Sequence, residues 1–244
     1  PEGWESEGQI RNTMLHSWNL SPQEAIALQK RLASSVVLKP LPEEITLVAG
    51  ADVGYSRRHD RAVAAVATYT YPGLAFRELV RFQGKFSYPY VPGLLSFREI
   101  PLLLQAFERL REEPDVVLCD GQGTAHPRRF GLASHLGLWL NLPTVGCAKT
   151  RLVGTHGRMG PIKGQYRSLL HRGERVGVVL RSRTDVKPLY VSPGHLAEVE
   201  SSRRLVMRCC LKYRLPEPIR RAHLAASGRR YEIDPPSCLA PSST

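Results

Sequence analysis

Three acidic residues stand in runs that otherwise read as buried. Asp52 lies within Ile45-Thr-Leu-Val-Ala-Gly-Ala-Asp-Val53, Glu99 within the apolar stretch from Leu94 to Leu110, and Asp120 closes Asp115-Val-Val-Leu-Cys-Asp120. An unpaired carboxylate in such surroundings costs several kcal/mol even after relaxation. If the fold gathers the three, repulsion adds to that cost, and a hard divalent cation bound through oxygen is the usual relief. Each residue also has a plainer reading. Asp52 suits a turn before Gly54, Ser96-x-x-Glu99 has the form of a capping box, and Asp120-Gly121 is an ordinary strand exit.

The elements that would carry these acids can be read from periodicity. Ser21 to Val37 opens with Ser-Pro, carries Glu24 and repeats apolar positions at helical spacing, which predicts an amphipathic helix. Ile45 to Val53, Ala62 to Tyr71 and Leu74 to Gln83 are β-branched or apolar runs separated by the turn-like Ser56 to Arg61 and Pro72-Gly73, the pattern of an antiparallel meander. A helix in the Leu94 to Glu112 region, a strand Val116 to Cys119, a helix from about Phe130 to Leu140 and a strand Thr144 to Ala148 then alternate, as parallel strands with crossover helices do. Val176 to Arg181 and Pro188 to Val191 suggest an added hairpin. Ala197 to Cys210 suggests a further helix, with His195 before it to cap or orient it.

The fold class expected is therefore α/β, a mixed sheet flanked by helices, in a single domain over residues 10–232. The acidic segment 1–9 and the Pro- and Ser-rich segment 233–244 are expected to be flexible tails. On this layout Asp52 belongs to the first strand and Asp120 ends a later one, where ligand chemistry collects in open α/β sheets. A helix carrying Glu99 over neighbouring strands would bring three carboxylates to one sheet edge, the arrangement of a ribonuclease-H-like nuclease site.

Composition points the same way. The chain has 244 residues, with 34 Lys and Arg against 22 Asp and Glu, and its charge of +12 favours phosphate polymers as partners. No apolar run approaches the roughly 20 residues of a spanning helix and no signal-peptide pattern precedes the first charges, so a cytoplasmic location without membrane partners is expected. The five cysteines, Cys119, Cys147, Cys209, Cys210 and Cys238, are odd in number and lack C-x-x-C spacing, which fits a reducing compartment; Cys119 and Cys147 read as core packing. Neither G-x-x-x-x-G-K-[ST] nor G-x-G-x-x-G is present, against a nucleotide-binding metabolic enzyme.

Four segments in order, Val48-Ala-Gly-Ala-Asp-Val-Gly54, Pro89-Tyr-Val-Pro-Gly-Leu-Leu-Ser-Phe-Arg-Glu99, Asp120-Gly-Gln-Gly-Thr-Ala-His-Pro-Arg-Arg129 and Val145-Gly-Cys-Ala-Lys149, resemble the endonuclease V family, its bacterial more than its animal members. The resemblance runs from about Leu20 to His223. It implies a ribonuclease-H-like fold that recognises deaminated bases, chiefly deoxyinosine in DNA, and nicks the second phosphodiester on the 3′ side, leaving 3′-hydroxyl and 5′-phosphate ends in a repair role. Asp52, Glu99 and Asp120 would bind Mg²⁺, or Mn²⁺ in its place, and His223 matches a position that is His or Asp in the family.

Further roles combine that resemblance with residue chemistry. Pro89 and Pro92 restrict the backbone around Tyr90 and Val91, so this loop is a candidate wedge that fills the hole left by a flipped base. The alternative for Tyr90 is ordinary packing over a sheet edge. Gly121 and Gly123 lack side chains and are expected to let a base approach uncommitted main-chain groups, with Gly131, Leu95 and Leu152 as pocket walls or as core packing. Lys149, His126, Arg128 and Arg129 are candidate phosphate contacts. Two alternatives stay open: an inosine-specific endoribonuclease acting on inosine-containing RNA, and a non-catalytic nucleic-acid-binding module, which would have no use for three buried acids.

Overall fold

Period-two alternation in the central strands has two buried destinations. In β1 (Leu47–Ser56) Val48 packs into one apolar cluster and Ala49 and Ala51 into another; in β4 (Val116–Cys119) Val116 and Leu118 join the first and Val117 and Cys119 the second. Strands buried on both faces need cover on both. The helices α2 (Leu95–Phe107) and α3 (Leu132–Leu140) supply one layer, while α4 (Val199–Cys209) and α5 (Glu217–Ala226) supply the other.

The computed structural model describes residues 15–56 and 61–227. The expected turn centred on 57–60, both expected tails and Cys238 lie outside them. β2 (Arg61–Thr70) pairs antiparallel with β1 and with β3 (Phe76–Gly84), forming the meander, while β4 lies parallel to β1 and to β5 (Thr144–Ala148). Three antiparallel strands, β6 (Tyr166–His171), β7 (Glu174–Leu180) and β8 (Leu189–Pro193), extend the sheet beyond β5, giving the order β3-β2-β1-β4-β5-β8-β7-β6. This is the ribonuclease-H-like mixed sheet that was expected, enlarged by the edge strand β6.

Local chemistry explains the helix boundaries. Ser21 caps α1 (Pro22–Leu32) through a capping box: the Glu24 N–H donates to Ser21 Oγ at 3.3 Å and the Ser21 N–H donates to Glu24 Oε2 at 2.7 Å. α1 ends earlier than its periodicity suggests, in a 3₁₀ turn at Ala33–Ser35. The capping-box reading of Ser96 is corrected: Leu94 occupies the N-cap position of α2 without a side-chain bond, and Ser96 lies inside the helix. His195 does not cap α4 either, since Glu198 holds that position; instead its Nδ1 accepts the Val37 N–H at 3.2 Å. Among the described residues no helix is long and apolar enough to cross a membrane.

Candidate active site

Register brings the first two acids together. Ala51 and Cys119 are the last paired residues of β1 and β4, and the Asp120 N–H donates to the Ala51 carbonyl at 3.1 Å, so Asp52 and Asp120 follow side by side. Alternation sends both toward the α5 face, because Ala51 and Cys119 point into the opposite cluster. On β1 the same face carries Gly50 and Gly54, and there α5 lies almost against the strand. A Cβ on Gly50 would stand 2.1 Å from the Pro218 carbonyl carbon, and one on Gly54 would stand 2.3 Å from the Ala226 carbonyl oxygen. Glycines on either side of Asp52 thus admit the helix that carries His223, whose Nδ1 sits 2.7 Å from Asp52 Oδ2 and 3.8 Å from Asp120 Oδ2.

Asp52, Asp120 and His223 can each offer a ligand atom within 4.8 Å of the others. The imidazole, not Glu99, completes this close group, and Glu99 stands outside it while still feeling the charges of both aspartates. Glu99 comes from α2, on the other face. Its carboxyl makes no hydrogen bond among the described residues, and burial, then the charges of Asp52 and Asp120, push it well above the usual range. Burial and Asp52 also raise Asp120, opposed by Lys149 and His223. The Lys149 ammonium is paired with Asp120 and lies 3.4 Å from His223 Nδ1. Two carboxylates, an imidazole and a nearby carboxyl with no hydrogen-bond partner are a donor set that fits a divalent cation.

Ser96, three residues before Glu99, and Gln122, two residues after Asp120, line a cavity of ≈ 150 Å³ whose walls also include Tyr90, Val91, Leu95, Gly131 and Leu152. Residues nominated separately as wedge and as pocket wall therefore share one hollow. Tyr90 is 70% exposed, against packing over a sheet edge, and Leu152 is 51% exposed, against core packing. The reading of Gly121 and Gly123 as open main chain is corrected for both amides and for the Gly123 carbonyl. The Gly121 N–H donates to the Cys119 carbonyl, the Gly123 N–H donates to Ser192 Oγ, and the Gly123 carbonyl accepts from Gly131. Gly123 has to be glycine for packing, because a Cβ there would meet the Pro193 carbonyl oxygen at 2.0 Å.

The basic candidates behave unequally. Arg128 donates to Gln29 Oε1 at 2.5 Å and to the Gly93 carbonyl at 2.7 Å, and Arg129 donates to the His171 carbonyl and to Glu174, so both guanidiniums brace their loop. His126 is buried 3.1 Å from the Gly93 carbonyl, and burial takes it down to about 4, leaving it neutral. Of the four proposed phosphate contacts only Lys149 stands at the acids. Sequence reasoning missed Arg214, which donates to the carbonyls of Lys149 and Pro188 and so holds the Lys149 backbone. It also missed Ser96, bonded to His135 and lining the cavity. No local spacing signals either contact.

Comparison with known proteins gives concordant findings. The model of the family described as Endonuclease V matches residues 30–224. Endonuclease V of Dehalococcoides mccartyi is 52% identical over 218 residues, covering 89% of this chain and 98% of that protein. The crystal structure of endonuclease V from Streptomyces avermitilis superposes with a TM-score of 0.81 at 40% identity, covering 86% of this chain and 93% of that one. Ciona intestinalis endonuclease V, solved with a 23mer DNA containing an inosine followed by a ribo-adenosine, superposes with a TM-score of 0.76 at 27% identity, covering 86% and 98%.

Proposed function

Because the chain belongs to the endonuclease V family, we propose that it is a metal-dependent endonuclease that finds deaminated bases in DNA, chiefly deoxyinosine, and nicks the second phosphodiester on their 3′ side, leaving 3′-hydroxyl and 5′-phosphate ends. The observation that carries this reading is the close group of Asp52, Asp120 and His223, with a cavity lined by Tyr90 and by Gln122, two residues after Asp120. Asp52, Asp120, Glu99 and His223 would hold Mg²⁺, with Mn²⁺ as substitute. When bound, such an ion supplies positive charge against the phosphate and acidifies water.

The chain's own groups do the rest. Without the ion, His223 Nδ1, at 2.7 Å from Asp52, is placed to hold a proton shared with that carboxylate; the same lone pair would serve the ion in the proton's place. Lys149, beside Asp120, supplies charge at the scissile phosphate, with its backbone anchored by Arg214. Tyr90 fills the stack vacated by the flipped base, offsetting part of the unstacking cost.

The test uses end-labelled duplexes with one deoxyinosine, one adenine in its place, or one inosine in an RNA strand. Nicking of the deoxyinosine strand at the second 3′ phosphodiester, dependent on Mg²⁺ and lost in Asp120→Asn, is the expected result. Metal-independent cleavage, or cleavage of the control strand, would overturn it. A second reading, cleavage of inosine-containing RNA, is favoured by the inosine followed by a ribo-adenosine bound by the Ciona relative. It would take over if the RNA strand were cut much faster.

A further inference from the structure

Behind the cavity wall, a row of hydrogen-bonding side chains runs from residue 16 through α3 to α2. Its proton positions follow from groups that can only donate or only accept. The Trp139 Nε1–H donates to His16 Nε2 at 3.2 Å, and the carbonyl of Ser17 accepts from His16 Nδ1 at 2.8 Å. His16 therefore carries its proton on Nδ1, and burial keeps the ring neutral by lowering its affinity for a second one. His135 Nε2 lies 2.7 Å from the same unprotonated His16 Nε2, so His135 is the donor and shares that acceptor with the longer Trp139 contact. His135 is fully buried, and burial together with His16 holds it well below the ordinary imidazole range; its Nδ1 is consequently a lone pair. Ser96 Oγ stands 2.9 Å from this Nδ1, so the hydroxyl proton of Ser96 is directed at His135.

Ser96 is 2% exposed and lines the cavity. With its single proton committed, it has only lone pairs left for a ligand. We infer that Ser96 is an obligate hydrogen-bond acceptor facing the cavity, and that it selects bases presenting a ring N–H, with His135 and His16 as the positioning residues that fix its polarity. This deepens, and rests on, the proposed function. Deamination turns the amidine edge of adenine or cytosine, where the ring nitrogen is a lone pair, into a lactam edge, where it bears hydrogen. An acceptor at Ser96 pairs with the lactam and opposes the amidine, and a buried polar group left unpaired is a strong means of rejection. Guanine shares the lactam edge, so its exclusion falls to other contacts.

Two measurements test this. Two-bond ¹H–¹⁵N spectra of the [¹⁵N]histidine-labelled protein should show His135 protonated on Nε2 and His16 on Nδ1. A His135 protonated on Nδ1 would overturn the inference, since it would donate to Ser96 and free the hydroxyl proton for the cavity. The second is a cycle of dissociation constants for parent and Ser96→Ala on duplexes bearing one deoxyinosine or one deoxynebularine, whose ring nitrogen is bare. Ser96→Ala should weaken deoxyinosine binding by about tenfold and deoxynebularine binding by less than about twofold. Equal losses on both would reduce Ser96 to a packing residue. If the parent neither binds nor nicks the deoxyinosine duplex, the functional reading itself fails; if the parent nicks normally and the losses are equal, only the role of Ser96 fails.

Discussion

Glu99 and Asp120 are carboxyls that the fold, without metal, holds above their ordinary range. A carboxyl raised on folding supports the folded state fully below its unfolded value, and that support is lost as pH climbs through the folded value. In chelator, the melting temperature of Glu99→Gln should therefore gain on that of the parent as pH rises above 4.5, the ordinary glutamate value. Saturating Mg²⁺ should reverse the order, because the variant lacks a ligand. A pH-independent difference would remove Glu99 from the electrostatics of the cluster. Tyr90 should behave in the opposite way. At 70% exposure it contributes little to the fold, so Tyr90→Ala should change stability by no more than about 0.5 kcal/mol while weakening binding to a deoxyinosine duplex more than to an undamaged one. Equal weakening on both duplexes would refute the wedge role of Tyr90.

Among the elements, α5 on β1 is the decisive contact. Gly50→Ala would push a methyl to within 2.1 Å of the Pro218 carbonyl carbon, and backbone cannot rotate aside as a side chain can. The expected cost is about 1–3 kcal/mol, with nicking reduced as His223 moves from Asp52. Gly73→Ala, whose nearest neighbour is 3.8 Å away, is the control. Parental melting temperature and activity in Gly50→Ala would refute the close seating of the helix. The central strands were legible residue for residue at Val116–Cys119 and Thr144–Ala148, because burial on both faces leaves continuous apolar runs. The helix α5 was not. No element was assigned to residues 216–226, where Pro216 and Pro218 occupy the N-cap and second positions, at which a missing N–H costs nothing. β6 escaped notice because only Leu169 in it is buried. Asp52 and Asp120 could be paired from strand order alone, whereas the partnership of His223 with Asp52 spans 171 residues and depends on a helix crossing that no local pattern records.

For the molecule as a whole, a charge of +12 surrounds a site built from anions. Affinity for undamaged duplex should fall linearly with salt on logarithmic axes, with a slope of about −0.9 for each phosphate contacted. Fluorescence anisotropy between low and physiological salt measures it, and a flat response would mean that the positive surface does not meet the backbone. Arg128→Ala should leave that slope unchanged, since its guanidinium is bonded to Gln29 and Gly93. The glycine track on β1 has a further consequence for synthesis. A ribosome delivers the strands that hold Asp52 and Asp120 long before it delivers the helix that seats His223 between Pro218 and Ala226. Until then Gly50 and Gly54 have no helix over them and the acids lack their imidazole, so a nascent chain or a fragment cut ahead of Glu217 carries both aspartates without the His223 half of the site.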